Sequence, residues 1–264
     1  MEKHFAFLNK VVIITGASSG IGAATAKIFA KERAKVVIVA RNVEKLKALA
    51  KVIENLSGSE PFVIIADVSK DADVKGIVEK TIEKFGQIDV LVNNAGILSM
   101  KNILSENFIE DYDRIMGTNL RGTVLLTHYA VPHLIKTKGN IVNVSSIGSF
   151  VPYSIFLAYV TSKAAMDQFS KSLALDLAAK GVRVNVVNPG PVKTDIHMNA
   201  LGLSREEVDK LYAASEFNTP MKHISEGVEI GDLIAFLASD KAKSITGSCY
   251  TIDCGVSLLG AKSM

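Results

Sequence analysis

The chain has 264 residues, 48% of them hydrophobic and 22% charged, with a net charge of +3. That apolar content suits one well-buried core and excludes a disordered chain, while the length is short for two separate domains. No run of basic residues suggests nucleic acid, and a mild positive charge fits an enzyme that binds an anionic cofactor.

The opening stretch, MEKHFAFLNK, lacks the apolar core of a signal peptide. No apolar run approaches the ~18 residues that cross a bilayer. The expectation is a cytoplasmic protein without a membrane span.

Taken in chain order, short β-branched runs alternate with helical patterns. The runs are KVVIITG (10–16), KVVIVAR (35–41), PFVIIAD (61–67), DVLVNNAG (89–96), NIVNVSS (140–146), VRVNVVNPG (182–190) and CYTID (249–253). Most are continuously apolar, which marks strands buried on both faces of a parallel sheet. Between them, Ile21, Ala24, Ile28 and Phe29 share one helical face. Residues 42–56, 70–85, 105–136, 157–180 and 226–239 read as helices in the same way. The repeated strand–helix–strand order predicts an α/β fold, a single Rossmann-type doubly wound parallel sheet of about seven strands with helices on both faces.

Residues 191–226 break the rhythm. They hold no strand pattern, only a short helix with Ser204 and Glu207 at capping-box spacing. The segment reads either as a substrate lid or as a satellite apolar cluster under a loop, built on Ile196, Met198, Leu201, Leu203 and Met221. His197 and Lys193 lie near it and read as solvated. Cys249 and Cys254 lie five apart in an apparent strand, so their side chains are expected on opposite faces. They read as free thiols, with neither a disulfide nor a metal site expected.

Four strand ends carry candidate cofactor chemistry. TGASSGIG (15–22) follows the first strand and opens the first helix, with Gly16, Gly20 and Gly22 allowing a tight turn and close approach to a phosphate. The helix start offers free N–H groups and a positive dipole end. At the end of the second strand no carboxylate is found where one would hold ribose hydroxyls; Arg41 stands there and can grip a 2′-phosphate. That favours NADP(H), with NAD(H) as the alternative if Arg41 merely faces solvent. Asp67 and Val68 end the third run, where the carboxylate either accepts from an adenine amino group or caps the helix beginning near Ser69. NNAG (93–96) ends the fourth, where small residues let a flat ligand lie on the backbone.

YVTSK (159–163) places Tyr159 and Lys163 one helical turn apart on one face. A free phenol loses its proton only near pH ~10, and a neighbouring ammonium would lower that value toward useful acid–base chemistry. The bland alternative is a surface Tyr/Lys contact.

With TGASSGIG, NNAG, the Asn119 of GTNL, VSS ending at Ser146, YVTSK and NPGPVKT (188–194) in this order, the chain resembles a short-chain dehydrogenase/reductase of the ~250-residue, single-domain type. The resemblance spans nearly the whole chain and implies an NAD(P)-dependent enzyme acting on alcohols and carbonyls. It implies Tyr159 as general acid–base, Lys163 holding the nicotinamide ribose and lowering the tyrosine's pKa, Ser146 stabilising charge on the substrate oxygen, and Asn119 ordering a water in a relay to Lys163. It assigns cofactor contacts to Gly16, Ser18, Ser19, Gly20, Ile21, Gly22, Arg41, Asp67, Val68, Asn94, Ala95, Gly96, Tyr159, Lys163, Pro189, Gly190, Val192 and Thr194. Ser19 stands where NADP-preferring members often carry a second basic residue, and Cys254 replaces a glycine near the C-terminus. Family members usually assemble as homotetramers or homodimers. Phe150, Val151, Tyr153, Ile155 and Phe156 near the expected pocket mouth suggest an apolar carbonyl or secondary alcohol; a 3-oxoacyl substrate is the alternative. A non-catalytic dinucleotide-binding scaffold is the remote one.

Overall fold

The computed structural model describes residues 5–196 and 202–259. Seven strands form one sheet: β1 (Val11–Thr15), β2 (Lys35–Ala40), β3 (Phe62–Ile65), β4 (Val90–Asn93), β5 (Asn140–Val144), β6 (Arg183–Pro189) and β9 (Cys249–Ile252). Their spatial order is β3-β2-β1-β4-β5-β6-β9, and every pairing is parallel. The order reverses between β1 and β4, the kind of crevice in which open α/β sheets bind ligands.

The helices are α1 (Gly20–Lys31), α2 (Val43–Ser57), α3 (Asp71–Phe85), α4 (Phe108–Met116), α5 (Gly122–Thr137), α6 (Leu157–Ala178), α7 (Arg205–Asn218) and α8 (Gly227–Ala238). They cover both faces, so each central strand contributes to two cores. Val12, Ile14 and Ile38 face a cluster with Phe29, Leu46 and Ile234, from α1, α2 and α8. Val11, Ile13 and Leu91 face the opposite cluster with Ile77, Leu126 and Leu177, from α3, α5 and α6. This double burial is why the strands read as unbroken apolar runs.

Three expectations need correction. The single helix over 105–136 is two α-helices separated by a π-helical turn at Gly117–Arg121. Within that turn the Asn119 amide bonds the Ile97 backbone in both directions, at 2.8 and 2.9 Å, and the widened turn accommodates the pairing. The 191–226 segment does contain strands: β7 (Val192–Lys193) and β8 (Ser225–Glu226) pair in parallel as a separate small sheet, too short to leave a sequence pattern. Cys254 lies beyond β9 at φ 55°, because Asp253 accepts from Gly255 N–H and Ser257 N–H and turns the chain. Cys249 and Cys254 are both free.

Candidate active site

The C-terminal ends of β1, β4, β5 and β6 bring the predicted residues to one edge of the sheet. At β1 the glycine turn is tightly determined. Gly16 and Gly20 have φ of 65° and 52°, and a Cβ on Gly22 would lie 2.4 Å from the Gly16 carbonyl oxygen. Ser19 precedes α1 in extended conformation, its side chain makes no capping bond, and the first turn has no acidic residue. The N–H groups of that turn therefore lack a side-chain acceptor and face a positive dipole end, which fits a diphosphate. Thr194 lies against Gly20, where a Cβ would come within 2.8 Å of its methyl group.

Asn94 does not leave its side chain free for a ligand. Its amide donates to the carbonyls of Thr15 (2.9 Å) and Gly16 (3.3 Å), tying β4 to the glycine turn. Thr15 completes this joint, its hydroxyl accepting from the N–H groups of Asn94 and Ala95, both at 3.0 Å. Neither Thr15 nor the joint was evident from the sequence; the signal was a hydroxyl at the end of an otherwise apolar strand.

At the β2 end, the Arg41 side chain is 68% exposed and its guanidinium lies 3.6 Å from Asp67. Asp67 also accepts from the N–H (3.0 Å) and hydroxyl (2.8 Å) of Ser69. Burial tends to raise the Asp67 pKa, but these two bonds together with the Arg41 and Lys70 charges hold it below the usual carboxylate range. Of the two roles open to Asp67, the structure displays a local turn cap. The helix itself starts later, at Asp71. Val68 packs against the core, and its carbonyl leaves no room for a Cβ on Gly122.

At the β5 end, Ser146 accepts from Gly148 N–H at 3.1 Å, and a Cβ on Gly148 would lie 3.5 Å from its hydroxyl and 3.7 Å from the Tyr159 ring, so the two side chains converge there. Ser145 instead donates to the Lys163 carbonyl at 3.2 Å, a strand-end hydroxyl spent on backbone. Lys163 is 3% exposed, and its ammonium donates to the Val144 carbonyl at 2.8 Å. It lies 5.6 Å from the centre of the Tyr159 ring. A Cβ on Gly96 would sit 3.5 Å from both Lys163 Nζ and Asn119 Oδ1, so this glycine keeps the space beside them open. Asn119 is fully buried, and its amide also donates to Ser162 at 3.2 Å. The Asn119 side chain spends its amide on the Ile97 backbone and on Ser162.

The ionisation of this group differs from expectation. Burial raises the Tyr159 pKa, and only the Ser146 side chain pulls the other way; no lowering by Lys163 is found. Burial brings Lys163 down to about 8, with the Asp167 charge opposing. The reason is desolvation, which penalises phenolate and ammonium alike when no counter-charge is close.

The β6 end presents Pro189 and Gly190. Gly190 packs so closely on Asp253 that a Cβ would lie 2.6 Å from the Asp253 side chain. Val192 is buried in β7. Tyr212, which sequence reasoning missed, clamps the backbone of Thr194: its hydroxyl donates to the carbonyl at 2.5 Å and accepts from the N–H at 3.0 Å. An isolated tyrosine in a polar helix gave no warning of it.

Around this edge, α7 carries its own small core of Val208, Tyr212 and Ile224 with Leu203, while Phe217 and Met221 are 75% and 64% exposed. The capping box of Ser204 and Glu207 forms as expected. Lys193 is paired with Glu216 (2.8 Å) and Glu226 (3.5 Å). Of the pocket-mouth candidates, Phe150 and Ile155 are exposed, Val151 is buried with Ile147 and Val256, and Tyr153 meets Phe156 edge-on at 5.9 Å. His197, Met198 and Leu201 lie outside the described residues. Among the described residues no cluster of three or more His, Cys, Asp or Glu could hold a metal, and no helix is long and apolar enough to cross a membrane.

A doubly wound sheet with a glycine-rich phosphate turn and half-buried Ser146 and Tyr159 beside a buried Lys163 defines a dinucleotide-dependent oxidoreductase class, and comparison with known proteins agrees. A family model described as enoyl-(acyl carrier protein) reductase matches residues 16–257. An uncharacterised oxidoreductase of Thermotoga maritima is 41% identical over 94% of this chain and 98% of its own. Glucose 1-dehydrogenase of Gluconobacter oxydans is 36% identical over 96% and 94%. A crystal structure of a Caenorhabditis elegans short-chain dehydrogenase/reductase of unknown function, with cofactor, superposes with a TM-score of 0.90 at 38% identity, covering 96% and 97%. The chain belongs to the short-chain dehydrogenase/reductase family and is an oxidoreductase.

Proposed function

We propose that the protein is an NADP(H)-dependent reductase that interconverts a carbonyl and an alcohol, with Tyr159 as general acid–base. The observation that carries this reading is the convergence of Ser146 and Tyr159 around Gly148 and beside a buried Lys163, at the sheet edge that also holds the glycine turn. Gly16 to Gly22 would hold the diphosphate, Arg41 the 2′-phosphate, Lys163 the nicotinamide ribose, and Gly190 to Thr194 the nicotinamide end. When bound, the nicotinamide dinucleotide supplies or accepts the hydride.

The residues manage the proton. At neutral pH Tyr159 is a neutral phenol, because burial disfavours its anion. It is therefore ready to donate to a substrate oxygen as negative charge develops there, which suits the reductive direction. Ser146 donates to the same oxygen and stabilises that charge. Lys163, with a pKa of about 8, is mostly charged at neutral pH and would offer its ammonium to the nicotinamide ribose beside Tyr159. Asn119, fixed in its π turn, supports the space between Gly96 and Lys163.

Exposed Phe150, Ile155, Phe217 and Met221 support an apolar ketone or secondary alcohol. A sugar-like polyol is the second reading, favoured by the similarity to a glucose 1-dehydrogenase. A 3-oxoacyl substrate is a further candidate, in keeping with the acyl-carrier description of the matching family model. Leu175 on α6 and Leu258 near the C-terminus, 83% and 87% exposed, support assembly as a homotetramer or homodimer through these segments. The test is a side-by-side titration with NADPH and NADH, followed by nicotinamide fluorescence, and then a substrate panel of apolar ketones, sugars and 3-oxoacyl thioesters. Tighter NADPH binding and turnover of the ketones are expected. Preference for NADH would make Arg41 a bystander.

A further inference from the structure

Below the Ser146–Tyr159–Lys163 group lies a polar network centred on Asp167, which none of the quoted motifs includes, and Asn188, the first residue of NPGPVKT. Asp167 follows Lys163 by one turn on the same face of α6, a spacing that sets side chains about 5–6 Å apart at Cβ. Its Oδ2 accepts from the Asn188 amide at 2.9 Å. Asn188 ends its strand fully buried, and the same amide nitrogen also faces the Ser146 carbonyl (3.1 Å) and the Ser149 hydroxyl (2.9 Å). One side chain thus ties α6 to the turn that carries Ser146.

The remaining oxygens of both residues, Asp167 Oδ1 and Asn188 Oδ1, are buried and have no hydrogen-bond partner among the described residues. Nor does a cation lie within ion-pair distance of Asp167 there. A carboxylate held only by a neutral amide keeps an unneutralised charge, and a poorly solvated site screens it weakly. The groups that feel it are Lys163 on α6 and the Cys249 thiol on β9, which exposed Lys171 also faces. Lys163 is buried, with Tyr159, Asn119 and the Val144 carbonyl as its other polar neighbours.

We propose that Asp167 and Asn188 are a positioning pair, in which the Asp167 carboxylate keeps buried Lys163 charged while Asn188 fixes the Ser146 turn against the same helix. Neither touches the reacting atoms; both act through Lys163 and Ser146. The inference rests on the catalytic reading of those two residues for its consequence, but the electrostatic link can be measured without turnover.

The experiment is a pH titration of Lys163 by carbon NMR in protein labelled at the lysine ε-carbon. The Lys163 signal is assigned by its loss in Lys163→Arg. Wild-type protein should titrate near pH 8. Asp167→Asn keeps an acceptor for Asn188 and removes the charge, so the midpoint should fall by about half a unit or more. Asp167→Glu should keep the wild-type midpoint. An unchanged midpoint in Asp167→Asn overturns the proposal. If Asp167→Asn does not fold, Asp167→Ser takes the same measurement; if neither folds, the charge serves the fold rather than Lys163, and the proposal falls. Should the protein turn over a carbonyl, the alkaline limb of its reductive pH profile should move to lower pH in Asp167→Asn. Absence of any turnover would count against the proposed function and leave the Lys163 titration to decide this one.

Discussion

The two ends of the site are built on opposite principles. At the nicotinamide end, Lys163 is 3% exposed and Asn119 fully buried, and each spends its hydrogen bonds on backbone or on a neighbour. At the adenosine end, Arg41 and Lys45 are exposed and meet their partners, Asp67 and Asp195, through surface ion pairs of 3.6 and 2.8 Å. A buried group is costly to leave unpaired, so its geometry is overdetermined by the fold. An exposed ion pair is worth about 0–1 kcal/mol and yields to a better anion. The buried groups are therefore rigidly set, while on the proposed reading cofactor preference would rest on replaceable surface charge.

The glycine turn joins the two ends, and breaking it should have the largest effect on binding. Gly22→Ala places a Cβ 2.4 Å from the Gly16 carbonyl oxygen, and backbone must shift to relieve it. Destabilisation of about 1–3 kcal/mol is expected, with loss of saturable nicotinamide-cofactor binding; calorimetry and fluorescence titration check both. A variant that melts and binds like wild type would mean the turn is more pliable than its contacts indicate.

Arg41→Asp sharpens the contrast from the exposed side. It should shift the NADPH-to-NADH affinity ratio about tenfold or more toward NADH, since a charge-assisted bond is replaced by repulsion. Melting temperature should barely move, because the pair with Asp67 is on the surface.

The buried end should show itself in pH dependence. Lys163 holds its proton less tightly in the folded protein, at about 8, than in the unfolded chain, near ~10.4. Between those values the unfolded chain binds more protons, so this residue makes stability rise with pH across that window. Lys163→Met should flatten that rise in denaturant titrations run at several pH values. In a substrate assay, the reductive rate of the wild type should fall as pH passes about 8 and the ammonium is lost.

The smallest effect belongs to Lys45→Ala. Its ion pair with Asp195 links α2 to the start of the 191–226 segment, but both side chains are partly exposed. At most ~1 kcal/mol of stability should be lost, as measured by chemical denaturation.

What could be read from the sequence follows the same division. Doubly buried strands announce themselves as apolar runs, and the glycines and the Tyr159–Lys163 spacing follow from backbone geometry, which is local. The π turn at Asn119 was not legible, because it depends on Ile97, a contact across 22 positions. The clamp of Tyr212 on Thr194 and the hub at Asn188 likewise join distant segments. Two-residue strands such as β7 and β8 are too short to carry any periodicity. The direction of the Tyr159 shift was misjudged because spacing reveals a neighbouring charge but not the desolvation that outweighs it.

The most direct test of the account compares wild type with Tyr159→Phe, measuring NADPH consumption across the carbonyl panel and cofactor binding in parallel. The phenol is assigned the proton transfer alone, so turnover should fall by about 10²–10⁴-fold while NADPH binding stays intact. Turnover that survives in Tyr159→Phe would contradict the central claim and remove Tyr159 from the chemistry.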